Sequence, residues 1–69
     1  MDIEMISVNS SNVVAIGYRK NKLYVDYRRG SYVYNNVPKE VYDGLLKAES
    51  KGKYMNSEVK GKYIYERLA

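Results

Sequence analysis

The 69 residues include no histidine and no cysteine. That removes the commonest general base, the usual zinc ligands and the thiolate nucleophile. Nucleophilic chemistry would fall to Ser10, Ser11 or a lysine, and nothing in the chain is spaced as a known catalytic set. The serine pair reads instead as the end of a loop, bonding the backbone ahead of a strand. Asp26, Glu40, Asp43, Glu49, Glu58 and Glu66 are scattered among lysines and arginines. That is the pattern of solvated faces with weak ion pairs, and it offers no cluster to a hard cation. No catalytic residue, no metal site and no cofactor are expected.

Tyrosine and positive charge are what the chain has in quantity. It carries 9 tyrosines without phenylalanine or tryptophan, and 12 Lys+Arg against 8 Asp+Glu, a net charge of +4. Such a balance draws phosphate or acidic surfaces, and it equally serves solubility. Exposed aromatic rings flanked by cations are the means by which proteins stack bases and hold phosphates of single strands. Two groups of residues fit that chemistry. Arg19, Lys20, Lys22, Arg28 and Arg29 stand in or beside two turns around Tyr24, the candidate stacking ring. Lys51, Gly52, Lys53, Lys60 and Lys62 form a second, glycine-containing basic group, with Lys47 and Gly61 beside it. Backbone N–H groups next to glycines can hold a phosphate there; the alternative is a solvated charged face that complements a helix C-terminus.

The elements that must position these residues follow from periodicity. VVAIGY at 13–18 is apolar on both faces, as for a strand covered on both sides or beside a close backbone. Its alternation would set Val14, Ile16 and Tyr18 on one face and Val13, Ala15 and Gly17 on the other. LYVDYR at 23–28 alternates, with Leu23, Val25 and Tyr27 opposite Tyr24, Asp26 and Arg28. Tyr32 and Tyr34 share a face of the next run and are read as core beneath a helix. Turns at RKNK and at Arg28–Ser31, with Gly30 supplying the unusual dihedral, join these runs into an antiparallel meander.

Pro38 suits the first turn of a helix, and PKEVYDGLLKAES aligns Val41, Leu45 and Ala48 beside Tyr42 and Leu46. Gly44 weakens that helix by about 1 kcal/mol relative to alanine, which implies close packing, expected against the sheet. Gly52 reads as the stop. A short second helix follows near 54–61, capped by Asn56, with Met55, Val59 and Tyr63 recurring every four residues. Tyr63-Ile64-Tyr65 alternates like a strand or an extended tail. The expected fold is α+β, one domain over 1–69: a three-stranded antiparallel β-meander packed against one main α-helix at about 38–50, with a short second C-terminal helix.

An ordered set of residues resembles a known family. Ser10-Ser11, Ile16-Gly17-Tyr18, Leu23-Tyr24-Val25, Gly30, Tyr32-Val33-Tyr34, Val37-Pro38, Ala48, Ser50, Gly52, Tyr54, Asn56 and Tyr63 follow the pattern of the KTSC domain, over about residues 8–65. Tyr27 and Met55 depart from it, standing where such domains often place phenylalanine. The family that the chain resembles is named for a domain at the C-terminus of some lysyl-tRNA synthetases, and it also occurs as free-standing small proteins of bacteria and phages. The resemblance implies RNA binding.

The expectation is therefore a noncatalytic module that binds RNA or a nucleotide phosphate through basic turns and an exposed tyrosine. The alternative is a protein-interaction module, or a phage or bacterial inhibitor, acting by homo- or hetero-association through an exposed sheet edge. No apolar run reaches the roughly 20 residues of a membrane span, and the acidic start is too short in apolar run for a signal peptide, so the expected location is the cytoplasm.

Overall fold

A computed structural model describes residues 3–10 and 12–68. Five antiparallel strands lie in the order β1-β2-β3-β4-β5: Ile6–Ser7, Val13–Arg19, Lys22–Tyr27, Gly30–Tyr34 and Tyr65–Arg67. Helix α1, Lys39–Lys47, and helix α2, Lys51–Tyr54, stand between β4 and β5 in sequence, and α2 runs on into a π-helical turn, Met55–Val59. The α+β class and the central meander agree with the sequence reading. The strand count does not: there are five strands, not three. β1 adds to β2 (Ile6 opposite Ile16) and β5 adds to β4 (Tyr65 opposite Tyr34). A two-residue and a three-residue strand are too short to show a period in sequence, and only pairing onto a preformed edge makes them strands.

The β2–β3 connection is a two-residue turn with positive φ at Lys20 (50°) and Asn21 (64°), the geometry that matches strand twist. Tyr18 Oη lies 2.6 Å from the Val37 carbonyl and 3.1 Å from Asn21 Oδ1, tying this turn to the start of α1. In the next turn Arg28 and Arg29 are the connecting residues, and Gly30 already opens β4 opposite Tyr27.

Leu23, Val25, Ile16, Leu45, Met55 and Val59 are fully buried between sheet and helices. One register expectation fails. The β2–β3 ladder shifts between Val13 and Ala15, so Val13 joins Ile16 in the core while Val14 is 45% exposed. An extra residue in one strand reverses the alternation beyond it.

Helix α1 ends at Lys47, sooner than expected. Ala48 is extended (φ −66°, ψ 136°) and its N–H bonds the Leu45 carbonyl. Ser50, rather than Asn56, caps the second helix by accepting from the Lys53 N–H at 3.3 Å, and Gly52 lies inside α2 instead of stopping α1.

Two glycines are required by close approach. A Cβ on Gly17 would meet Met5 Sδ at 2.6 Å and the Glu4 carbonyl at 3.0 Å, because the segment before β1 crosses this strand. That is the close backbone the sequence implied. A Cβ on Gly44 would run into the Tyr54 hydroxyl and reach its Cζ at 2.9 Å. Gly44 thus makes room for a tyrosine of the second helix, whose Oη donates to the Val41 carbonyl at 3.0 Å, and not for the sheet. No helix among the described residues is long and apolar enough to cross a membrane.

Candidate functional site

A meander puts successive turns at opposite ends. Arg19, Lys20 and Lys22 lie at one end of β3; Arg28 and Arg29 lie at the other, roughly 17 Å away at 3.3 Å per residue. The first basic group is therefore not one site. Tyr24 falls between the buried Leu23 and Val25 on β3, so its ring stands on the face away from the helices, half-buried beside Gly17 and Val33.

The second basic group also divides. Lys51 Nζ donates to the Leu46 and Ala48 carbonyls at 3.1 and 2.7 Å and closes the C-terminus of α1. Lys62 faces Glu58 at 3.8 Å, one turn along. Lys53 is exposed on α2 and lies outside the cleft described next. Lys60, by contrast, reaches back over the Tyr27 ring, 5.1 Å from its centre. Ser10 is half-buried in the loop ahead of β2, and Ser11 lies outside the described residues.

What the fold does bring together is the Arg28-Arg29 turn with Gly52, Lys60 and Gly61. They line a cleft of about 720 Å³ between the β4–β5 side of the sheet and the second helical segment. Tyr27, Tyr32, Tyr34 and Tyr65 form its aromatic part, and Asn12 and Asn56 its amides. The alternation of β3, β4 and β5 turns these four rings to one face, because Tyr27, Tyr32 and Tyr34 share the helix side and Tyr65 sits opposite Tyr34. The rings pack edge-on or tilted, with centroids 5.5 Å (Tyr27–Tyr32), 5.7 Å (Tyr32–Tyr65) and 5.7 Å (Tyr34–Tyr65) apart. Tyr34 is only 3% exposed, whereas Tyr65 is 57% exposed and presents its ring to the cleft mouth.

The Tyr27 and Tyr34 hydroxyls meet at 2.9 Å. Burial raises the pKa of both above the ordinary tyrosine value; their mutual hydrogen bond reinforces the rise at Tyr27 and opposes it at Tyr34. Both are neutral phenols at physiological pH. Among the described residues no carboxylate lines the cleft, and Arg28, Arg29 and Lys60 are its charged side chains. Arg67 fastens the same corner: its Nη2 donates to the Arg29 carbonyl at 2.9 Å and its guanidinium lies 5.8 Å from the Tyr32 ring centre.

The sequence does not mark Tyr65, Asn12 or Arg67 as site residues, and it presents Tyr27 as part of the apolar face of its strand. The Tyr63-Ile64-Tyr65 alternation marked a strand without marking its partner, and nothing local distinguishes Asn12.

Fold and cleft together define a small α+β domain: a twisted antiparallel meander, helices on one face, and a cationic tyrosine-walled cleft running along β4 from the Arg28-Arg29 turn to Tyr34 and Tyr65. The KTSC domain model matches residues 9–63. A curated protein from Tsukamurella paurometabola is 39% identical over 62 residues, covering 86% of this chain and 92% of its own. The crystal structure of a KTSC domain protein from Yersinia pestis superposes with a TM-score of 0.94 at 30% identity, covering 99% of this chain and 100% of that one. The chain belongs to the KTSC domain family.

Proposed function

We propose that this domain is a noncatalytic module that binds a nucleotide unit, free or within single-stranded RNA, in the cleft between β4–β5 and the second helical segment. The observation that carries this reading is the joining of an aromatic wall to Arg28, Arg29 and Lys60 in a cleft of about 720 Å³ that no carboxylate among the described residues lines. That volume falls in the usual range for small-molecule sites. The charge selects among ligands that like aromatic surfaces. A cationic guest would be repelled by the three basic side chains, whereas a phosphate is drawn to them.

Ring geometry constrains how a base could bind. Stacked bases lie about 3.4 Å apart, so a base sandwiched between two rings needs roughly twice that gap. Tyrosine centroids 5.5–5.7 Å apart leave no such slot. The base therefore stacks on the one open ring, Tyr65. Tyr24, on the other face, takes no part.

The test is fluorescence anisotropy with a labelled single-stranded RNA, with mononucleotides as competitors, at low and moderate salt. Arg29→Glu with Lys60→Glu should weaken binding at least about tenfold, while Lys20→Glu with Lys22→Glu, at the far turn, should change it by less than about twofold. Equal losses from both pairs would leave only diffuse charge attraction and refute the cleft.

One observation favours a second reading, self-association through β5. This strand is a sheet edge, with Ile64 77% and Leu68 55% exposed beside it. Sedimentation velocity across concentrations separates the two readings, because an apolar edge contact persists in salt and phosphate binding does not.

A further inference from the structure

We infer, on the reading that the cleft holds a nucleotide unit, that the Tyr27–Tyr34 hydroxyl pair recognises the ribose 2′-hydroxyl and makes the site selective for ribonucleotides over deoxyribonucleotides. The argument begins with hydrogen-bond capacity. A phenol hydroxyl has one proton to give and lone pairs to accept with. In a bonded pair of hydroxyls one proton is shared, and the other is left without an acceptor. Among the described residues the two oxygens, 2.9 Å apart, have only each other, and either can be the donor. Both side chains line the cleft, Tyr34 buried at 3% exposure and Tyr27 half-buried, so the unused proton is available to a group held in the cleft.

The nature of that guest follows from the pair's chemistry. Because the donor role can pass between Tyr27 and Tyr34, the pair can offer a proton, accept one, or do both. That matches an alcohol, which is itself donor and acceptor, better than a phosphate, which only accepts. Phosphate is already served by full charges at Arg28, Arg29 and Lys60.

Position points the same way. Tyr27 is the last residue of β3, directly before Arg28 and Arg29, and Tyr34 is paired across the sheet with Tyr65. The hydroxyl pair thus lies between the cationic turn and the open stacking ring. In a nucleotide the sugar lies between phosphate and base. The 2′-hydroxyl is the group by which a protein tells RNA from DNA at such a place.

The experiment compares labelled oligouridylate with oligodeoxyuridylate of equal length, which differ in the 2′-hydroxyl alone, on the wild-type protein and on Tyr27→Phe and Tyr34→Phe. The wild type should prefer the ribo strand about 3- to 10-fold, the effect of one hydrogen bond. Either phenylalanine variant should bring the ratio towards one while holding deoxy affinity within about twofold. A merely structural pair would move both affinities together. A 2′-fluoro oligouridylate on the wild type, whose fluorine neither donates nor appreciably accepts a hydrogen bond, gives a measurement independent of variant folding and should bind like the deoxy strand. Tight but equal binding of ribo and deoxy strands, or a preference that survives both variants, overturns the ribose inference and leaves the cleft reading standing. Absence of binding to either strand overturns both.

Discussion

Gly44→Ala should destabilise this domain even though it improves the helix. Alanine in a helix interior is favoured over glycine by about 1 kcal/mol. The new methyl, however, would occupy the place of the Tyr54 hydroxyl and lie 2.9 Å and 3.2 Å from the ring's Cζ and Cε2. Those are rigid ring atoms. Relieving the overlap means moving the ring and lengthening its 3.0 Å bond to the Val41 carbonyl. Overpacking costs about 1–3 kcal/mol and the lost hydrogen bond about 1 kcal/mol. The net is a loss of about 1–3 kcal/mol, which in a chain this small lowers Tm by about 5–15 °C. Urea denaturation followed by circular dichroism measures it. The decisive comparison uses Tyr54→Leu, which shortens the side chain and keeps it apolar. In that background Gly44→Ala should become stabilising by about 1 kcal/mol, giving a coupling of about 2–4 kcal/mol. If the alanine stabilises the wild type, or destabilises both backgrounds equally, the packing argument for Gly44 is wrong.

Lys51→Met removes an ammonium that bonds two carbonyls at the end of α1, so it should cost about 1 kcal/mol in urea unfolding while nucleotide affinity stays within about twofold of wild type. Gly17→Ala pushes on Met5 and Ile3, and should lose about 1–2 kcal/mol with faster amide exchange at Ile6 and Ser7 than elsewhere in the sheet. Tyr27 and Tyr34 stay protonated when folded but ionise near pH 10 when unfolded. Fewer protons are then bound by the unfolded chain, so stability is intact below pH 10 and falls above it by up to about 1.4 kcal/mol per pH unit for each ring, readable as a cooperative rise in tyrosinate absorbance. If Arg28, Arg29 and Lys60 each meet a phosphate, the logarithm of RNA affinity should fall with log salt at a slope of about −2; a slope near zero would argue for the β5 edge instead.

The relation between the residues and these outcomes is uneven along the chain. In β3 the strict alternation of LYVDYR names the buried face correctly, because each second residue must be apolar to cover one side of a sheet. In β2 the same reasoning misassigns Val14, because a bulge depends on how the partner strand meets it and leaves no mark in VVAIGY. The glycine at 44 announces a close approach through its poor helix propensity, yet its partner is ten residues further on and across a turn. The basic residues are the sharpest case. Lys20 and Lys51 look like any other lysine of the set, but one stands at the far end of the meander and the other is spent on helix carbonyls.

By themselves, then, the residues determine what is local or compositional: an α+β domain with a central meander and a helix opened by Pro38, the lack of histidine and thiol chemistry, a surplus of tyrosine and positive charge, and membership of the KTSC domain family, which the ordered tyrosine, glycine and Val-Pro positions carry. Tertiary structure alone decides which cations share a place. Strand order brings Arg28 and Arg29 to Lys60 and carries Lys20 and Lys22 away, and the pairing of β5 onto β4 sets Tyr65 beside Tyr34 to complete the wall. The reason is physical: periodicity encodes which face a side chain takes, whereas the distance between two faces depends on contacts between residues far apart in the chain, which no local pattern records.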